Sequence, residues 1–279
     1  MSDILYGKEL AKEIKERIKQ EVAALSKKPR IDFLYFEDDK SAEIYFKNAK
    51  KQAESTGMTG SIHKLPITAD EKDFITLIEY LNMEKETSGI IIQMPLPKHI
   101  SRQKVYEAIS PEKDADAVSP VNLGRIFIGE SNLIPCTAKS AFALIEKSGI
   151  KIEGSNAVVI GRSEIAGKPL AHLLLQKSAT VTIAHSKTKN LKELCRNADI
   201  LCVSIGKSGF ITGEYIKEGA LVIDIGINIS EDGSIKGDVD FEEASKIASY
   251  ITPVPNGVGS VTVAMLLDNL LYLHKKYNL

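Results

Sequence analysis

Short apolar runs alternate with segments of helical periodicity in the first half of the chain. Apolar residues three and four apart predict a first helix, at Leu10, Ile14, Ile18, Val22 and Leu25. Strands are predicted at 31–36, 61–65 and 89–94, with helices at 41–55 and 69–83. This alternation is typical of a parallel α/β sheet.

In the second half, the run 157–188 has the pattern of a strand, a glycine turn, a helix and a second strand. Gly161 ends the first strand and Gly167 opens the helix, where the backbones must approach closely. Such a unit holds a dinucleotide pyrophosphate at the helix N-terminus. Further strands are predicted at 199–205 and 220–225, and a strongly apolar helix at 261–274.

The segment 111–124, PEKDADAVSPVNLG, is rich in turn-forming residues and shows neither periodicity, so we interpret it as a hinge. The predicted fold class is α/β with two domains and a cleft between them. An N-terminal α/β domain, expected to bind the substrate, spans 1–118, and a Rossmann-like dinucleotide-binding domain spans 119–259. The apolar helix at about 260–279 must be buried, either packed back on the first domain or in a subunit interface.

The residues that follow the two strands of the dinucleotide unit favour NADP over NAD. An NAD site usually has an acidic residue after the second strand. Here that strand ends in His185, Ser186 and Lys187, while Arg162 and Ser163 lie in the first turn. A cation and a hydroxyl suit a ribose 2′-phosphate. The alternative is that Arg162 and Ser186 are ordinary loop residues.

Composition excludes several classes of partner. The 279 residues suit two modest domains, and 36 basic against 37 acidic residues leave a net charge of −1, which predicts neither nucleic-acid nor membrane binding. No apolar stretch approaches the ~20 residues of a membrane span, and the charged N-terminal segment is unlike a signal peptide, so a cytoplasmic location is expected. Cys136, Cys195 and Cys202 lack metal-site spacing and are interpreted as reduced structural residues, with no metal bound.

Several motifs in a fixed order resemble one family. They are SGIIIQMPLP with Gln93, EKDADAVSPVNLGR with Asp116, GRSEIAGKPLA from Gly161, VIDIGIN with Gly226 and Ile227, and ITPVPNGVGS with Pro255 and Gly257. Through them the chain resembles the methylenetetrahydrofolate dehydrogenase/cyclohydrolases over nearly its whole length. The resemblance implies NADP-dependent oxidation of 5,10-methylenetetrahydrofolate to the methenyl cation, and hydrolysis of that cation to 10-formyltetrahydrofolate. It also implies a homodimer whose active site lies in the cleft between the domains.

The resemblance also implies the site residues. Tyr45, Gln93 and Asp116 match its catalytic and folate-binding positions, and Pro255 and Gly257 match further substrate contacts. The cofactor residues would be Gly161, Arg162, Ser163, Gly167, His185, Ser186, Gly226 and Ile227. An aspartate can accept two N–H bonds from an aminopterin edge, and a tyrosine can stack and donate. The alternatives are that Tyr45 only packs on the sheet and Asp116 only forms a turn.

The chain departs from the family at the lysine one helical turn after the tyrosine, where Ala49 stands. On a helix Lys47 lies ~160° and Lys50 ~140° around the axis from Tyr45, so neither replaces that lysine easily. Lesser departures are Ala138, Asn256 and Ser260. Hydride departure is driven by the substrate's nitrogen lone pair, whereas hydrolysis needs a positioned acid or base. We therefore expect dehydrogenase activity to survive and cyclohydrolase activity to be weakened or carried by another residue.

Two other functions remain open from the sequence. One is a different NADP-dependent two-domain dehydrogenase acting on a small oxyacid, against which Asp116 and the proline turn after Gln93 argue. The other is a folate-binding homologue with weakened or lost catalysis, for which Ala49 is the support.

Overall fold

The computed structural model describes residues 2–37, 40–230 and 233–277. It divides into two compact units. We call residues 1–12 with 135–262 the six-stranded unit, and residues 13–134 with 263–279 the three-stranded unit. Strands and helices are numbered below in chain order.

The six-stranded unit follows the strand and helix alternation predicted for its sequence. Its strands are β1 (Asp3–Ile4), β5 (Asn156–Ile160), β6 (Thr180–Ala184), β7 (Ile200–Val203), β8 (Leu221–Asp224), β9 (Asn228–Ile229), β10 (Ile235–Lys236) and β11 (Tyr250–Ile251). Its helices are α6 (Cys136–Lys147), α7 (Gly167–Gln176), α8 (Leu191–Arg196) and α9 (Phe241–Ala244).

Six of these strands form one parallel sheet in the order β1-β11-β8-β7-β5-β6. The central strands are apolar and buried, as parallel strands covered on both faces require. Because the strands are parallel, their carboxyl ends share one edge of the sheet. Ligands of open α/β sheets bind beyond that edge, which here carries the loops after β5, β6, β7 and β8.

The three-stranded unit is a smaller parallel sheet with helices between its strands. It contains β2 (Arg30–Phe36), β3 (Thr59–Leu65) and β4 (Gly89–Ile92), in the order β3-β2-β4. The helices are α2 (Lys40–Ser55), α3 (Glu71–Met83), α4 (Arg102–Ala108), α5 (Pro120–Phe127) and α10 (Thr262–Tyr277). Helix α1 (Gly7–Ala23) begins in the six-stranded unit and continues into this one.

The segment interpreted as a hinge contains the start of a helix, α5, in its second half, where no periodicity was seen. Ser119 caps α5 by accepting a hydrogen bond from the Asn122 N–H, and Pro120 occupies the first helical position. A serine cap followed by proline is a strong start signal. Eight residues hold too little apolar periodicity to predict the helix from pattern alone.

The compact units also differ from the expected boundaries at 118/119 and 259/260. Residues 119–134 belong to the three-stranded unit, where the Asn269 side chain donates to the Ile134 carbonyl at 2.8 Å. Residues 1–12 belong to the six-stranded unit because β1 pairs with β11 and the Gly7 N–H donates to Asn256 O at 2.8 Å. The chain therefore passes between the units more often than one linear boundary allows.

The three cysteines are buried and form no disulfide with one another. Burial raises the pKa of the Cys195 thiol to about 12 and raises that of Cys202 further, so both stay protonated. Across the described ranges, no set of three or more potential metal ligands is clustered. Within the same ranges, every helix is too short or too polar to span a membrane.

Candidate functional site

The turn after β5 requires its two predicted glycines. Gly161 has φ of +123°, and a Cβ there would overlap the Ser204 carbonyl oxygen. A Cβ on Gly167 would overlap the Gly161 carbonyl oxygen. The close approach of β5, β7 and α7 is therefore possible only without side chains at these positions. This close approach places the start of α7 at the carboxyl edge of the sheet.

The start of α7 suits a phosphate. The preceding residue, Ala166, supplies no capping side chain. The Lys168 N–H donates to the Ser163 carbonyl at 3.1 Å, and Pro169 has no N–H, so the helix dipole is the feature that favours an anion here. A helix N-terminus carries partial positive charge, and an anion binds there readily. Arg162 and Ser163 are exposed in the same turn. These residues fit the pyrophosphate of a dinucleotide.

Arg162 and Ser186 occupy equivalent places on neighbouring strands. Ile160 pairs with Ala184 in the β5·β6 ladder, and each polar residue follows two positions later. The Gly161 N–H also donates to the Ala184 carbonyl at 2.9 Å, which extends the ladder beyond the strands. Both side chains are exposed. Both residues therefore follow the carboxyl ends of neighbouring strands, the edge of the sheet where a 2′-phosphate would bind.

The turn that carries Ser186 is fixed by its own hydrogen bonds. The His185 N–H donates to Thr188 Oγ1 at 2.9 Å, and the Thr188 N–H donates back to the His185 carbonyl at 2.8 Å. Nδ1 of His185 accepts from the Lys187 N–H at 3.2 Å. His185 therefore shapes this turn.

A cavity of about 240 Å³ lies at the carboxyl edge of β8. Gly226 and Ile227, predicted to bind cofactor, line it together with Pro255 and Gly257, predicted to bind substrate. Asn256, which also lines it, has φ of +82°, a conformation that favours glycine and that asparagine tolerates better than most residues. The departure Asn256 is thus compatible with the loop.

Two buried aspartates underlie this cavity, and the sequence did not single them out. Asp224 accepts from the N–H groups of Gly226, Asp238 and Val239 at 2.9–3.0 Å. Burial raises the pKa of Asp224 to about 6, against the effect of these hydrogen bonds. Asp238, fully buried, accepts from the loop after β7. Partners so far apart along the chain leave no local spacing to detect.

In the three-stranded unit, Gln93 lies just beyond the carboxyl end of β4. Its N–H donates to Leu34 O at 2.9 Å, and its side-chain amide donates to Met94 O at 2.8 Å. It lines a cavity of about 340 Å³ with Phe36, Glu37, Ile67, Pro95, Leu96 and Pro97. Glu37 is an acid at this cavity that the sequence interpretation did not single out. Tyr45 and Asp116 are not among the lining residues that the structure describes.

Tyr45 and Ala49 lie on α2, which packs on β2 and β3. The tyrosine is 37% exposed and its ring contacts Phe46 with centroids 5.5 Å apart, whereas Ala49 is fully buried. Lys47 extends into solvent and pairs with Glu43 at 2.5 Å. Ala49 itself carries no protonatable group.

Lys50 extends away from the carboxyl edge of the sheet. A Cβ built on Gly60, near the start of β3, would lie 3.3 Å from Lys50 Cγ, so the stem of the lysine covers the amino-terminal end of that strand. Gln93 follows the carboxyl end of β4, and β3 and β4 run parallel on either side of β2. Lys50 and Gln93 thus lie toward opposite edges of one sheet.

Asp116 is presented by a loop that Asp114 organises. The buried Asp114 carboxylate accepts from the N–H groups of Val118 and Ser119 at 3.0 and 2.8 Å and from the Asn122 side chain at 2.9 Å. Burial raises the pKa of Asp114, while these donors oppose the rise. Asp116 itself is half-buried. The loop fits the role of holding a carboxylate in a fixed position.

A glycine turn aimed at the start of a helix, at the carboxyl edge of a parallel sheet, defines a dinucleotide-binding α/β protein with a second α/β unit. Residues 5–116 match the family model of the tetrahydrofolate dehydrogenase/cyclohydrolase catalytic domain, and residues 135–278 match that of its NAD(P)-binding domain. The chain belongs to the tetrahydrofolate dehydrogenase/cyclohydrolase family. The resemblance noted in the sequence is confirmed.

Known relatives match along the full length. The chain is 82% identical over 275 residues to the bifunctional protein FolD of Brachyspira hyodysenteriae, covering 99% of this chain and 98% of the relative. The FolD structure from Campylobacter jejuni is 38% identical with a TM-score of 0.95, covering 99% of each chain. The Trypanosoma brucei FolD structure, complexed with NADP and an inhibitor, is 37% identical with a TM-score of 0.94, covering 99% of this chain and 98% of that one.

Proposed function

We propose that this protein oxidises 5,10-methylenetetrahydrofolate to 5,10-methenyltetrahydrofolate with NADP as hydride acceptor. The single observation that carries the proposal is the Gly161 turn, with Arg162 and Ser186 after the ends of two neighbouring strands, in a chain of this family. The turn supplies a phosphate site, and the cation and hydroxyl suit the 2′-phosphate that distinguishes NADP.

When bound at this turn, NADP would supply the acceptor for a hydride from the methylene carbon of the folate. The lone pair of the adjacent folate nitrogen drives that departure, so the oxidation needs no protein base and depends on positioning. In this proposal Asp116 and Gln93 hold the folate by hydrogen bonds and the exposed ring of Tyr45 stacks on it. Gly226, Ile227, Pro255 and Gly257 line a cavity suited to contact with both reactants.

Hydrolysis of the methenyl cation is the weaker activity in this proposal. Water adds to the cationic carbon, and the adduct opens to 10-formyltetrahydrofolate with release of a proton. A positioned acid or base contributes about 10²–10⁴-fold to such a step. Ala49 provides none, Lys47 is paired with Glu43, and Lys50 covers the amino end of β3.

The test follows both products of one reaction. Purified protein is mixed with methylenetetrahydrofolate and NADP, and folates are separated chromatographically at successive times while NADPH is measured. NADPH should appear and methenyltetrahydrofolate should accumulate ahead of 10-formyltetrahydrofolate, relative to an enzyme-free control. Formation of 10-formyltetrahydrofolate as fast as NADPH would refute the weakened hydrolysis. Absence of NADPH would leave a folate-binding homologue without catalysis.

The proposal includes a homodimer in the cytoplasm. Strand β6 supports the dimer because it is an edge strand of the sheet and carries Ile183, which is 42% exposed. Helix α7, which packs on β6, carries Leu175, which is 56% exposed. An exposed apolar sheet edge is a natural pairing surface for a second copy. Three buried cysteines that form no disulfide suit a reducing compartment.

A further inference from the structure

The loop after β7 forms a concave anion-binding site that is occupied by a carboxylate of the same chain. The N–H groups of Ile205 and Gly206 donate to Asp238 Oδ2 at 2.6 and 3.0 Å, and that of Lys207 donates to Oδ1 at 2.7 Å. Gly206 has φ of +66°. Successive amides turned toward one point by a left-handed residue make the kind of nest that binds phosphate elsewhere. Here its anion is the carboxylate of Asp238.

Asp238 also ties this nest to the loop after β8. The Asn228 side chain donates to Asp238 Oδ1 at 2.9 Å, which completes four donors on one fully buried carboxylate. A Cβ on Gly226 would overlap the Asp238 carboxyl group, so the glycine is needed for this contact. The loops after two adjacent strands therefore share one acceptor.

Asp224 connects the same structure to the third loop around the cavity. Its carboxylate accepts from the N–H of Asp238 and from that of Gly226, both at 3.0 Å. Its own N–H donates to the Thr252 hydroxyl at 2.8 Å, immediately before the loop that contains Pro255 and Gly257. The two carboxylates thus link the backbone segments that line the 240 Å³ cavity.

We propose that Asp238 is a positioning residue for NADP: its carboxylate fills the nest at 205–207 and holds the cavity-lining loop at Gly226 in the form that binds the cofactor. The proposal rests on the proposed function. Because the nest already holds an anion, the cofactor phosphates are directed to the turn at 161–167. Asp238 acts through Gly226 and Asn228 and makes no contact with the reacting atoms.

Hydrogen exchange of the unaltered protein tests the filled nest without a mutation. Amides 205–207 should exchange slowly in nucleotide-free protein, and NADPH should not slow them further, while amides 162–168 should gain protection when NADPH binds. Rapid exchange at 205–207 without nucleotide would overturn the proposal. So would strong NADPH-induced protection there, since a ligand would then be filling the nest.

Asp238→Asn tests the positioning role. The asparagine keeps one acceptor oxygen and turns an NH₂ group toward N–H donors, so the Kd for NADPH, measured by calorimetry, should rise at least 10-fold. The Kd for methenyltetrahydrofolate should stay within about 2-fold. The matched control is Asp240→Asn, two residues away, where the Asp240 side chain caps α9 and asparagine caps equally well; its NADPH affinity should be unchanged.

The outcomes separate positioning from general stability and from the proposed function. A folded Asp238→Asn variant with a lower melting temperature but normal NADPH affinity would mean that Asp238 is only structural. If the variant does not fold, the exchange experiment on the unaltered protein decides. A wild-type protein that binds NADPH but forms none from methylenetetrahydrofolate refutes the proposed function and leaves the Asp238 proposal standing.

Discussion

Ala49 lies one turn after Tyr45 on α2, fully buried beside a tyrosine that is 37% exposed. Residues four apart on a helix share a face, so position 49 projects beside the tyrosine. The alanine methyl group is buried, whereas a longer side chain at position 49 would extend past the surface of the helix toward solvent. In the proposed function, this position affects hydrolysis and has little effect on hydride transfer.

Replacement of Ala49 by lysine should increase cyclohydrolase activity. The lysine stem can follow the helix surface and carry its ammonium group outward beside Tyr45, supplying an acid or base that contributes about 10²–10⁴-fold. Dehydrogenase activity should change by only a few-fold, because hydride transfer uses no such group. The buried origin of the side chain should cost about 1–3 kcal/mol of stability.

The control for Ala49→Lys is Asn48→Lys, which adds the same charge at the neighbouring, exposed position on another side of α2. It should leave the ratio of hydrolysis to oxidation unchanged. The ratio is measured from initial rates on methenyltetrahydrofolate and methylenetetrahydrofolate. An equal increase in both variants would show a general effect of positive charge and would contradict a role specific to position 49.

Removal of Lys47 or Lys50 should not affect either activity. Lys47 is held in solvent by Glu43, and Lys50 covers Gly60 at the amino end of β3. Lys47→Ala and Lys50→Ala are assayed for hydrolysis of methenyltetrahydrofolate, with Lys51→Ala as the reference for losing one charge on the same helix. A loss of hydrolysis in either of the first two variants alone would show that this lysine has taken over the role.

Replacement of Arg162 by alanine should reduce the preference for NADP over NAD. Hydrogen bonds to a charged group are worth about 1.5–3 kcal/mol, equivalent to roughly 10- to 100-fold in affinity. The measurement is kcat/KM for each nucleotide, and only the NADP value should fall. Lys177→Ala is the control, because Lys177 follows the opposite end of α7 and pairs with Glu146 at 3.0 Å. Equal losses for NADP and NAD would place Arg162 elsewhere on the cofactor.

The sequence predicted the elements that carry strong periodicity. The predicted strand at 31–36 corresponds to β2 at Arg30–Phe36, and the predicted helix at 41–55 corresponds to α2 at Lys40–Ser55. Strands β1 and β11 have two residues each, too few for any alternation to show. They are defined by pairing between residues far apart in the chain, which local pattern does not reveal.

The same distinction applies to the site. The glycine turn is local, so Gly161 and Gly167 were identifiable from their spacing. The Asp238 carboxylate accepts hydrogen bonds from backbone N–H groups at 205–207, which lie more than 30 residues earlier in the chain. Aspartates close to glycine are common in loops. Only the folded chain distinguishes this one from an ordinary turn residue.

An acidic residue in place of Ile183 should dissociate the proposed dimer. Ile183→Asp puts a charge on the exposed edge strand β6, where it would have to be desolvated on association. Light scattering should give a dimer for the wild type and a monomer for the variant. Met83→Asp, at a position 77% exposed in the other unit, should remain dimeric. A monomeric wild type, or a dimeric Ile183→Asp, would reject this interface.

Asp224 should make the protein less stable as the pH rises through about 6. Burial raises its pKa from 3.8 to about 6 in the folded protein. The folded state therefore holds a proton that the unfolded chain releases between these values, and the free energy of unfolding falls across that window by on the order of 3 kcal/mol. Above the window the contribution no longer changes. The buried Asp238 beside it acts in the same direction, since its charge also disfavours the Asp224 carboxylate.

Asp224→Asn separates this contribution from those of the other titrating groups. Asp32, for example, has a lowered pKa because hydrogen bonds from His63, Arg30 and Thr87 outweigh its burial, so its stabilising effect is lost as the pH falls. Urea unfolding of both proteins from pH 4 to 7 cancels such shared effects. The variant should gain stability relative to the wild type as the pH rises, because an amide cannot lose the proton. A difference that stays constant with pH would mean that Asp224 titrates alike in the folded and unfolded states.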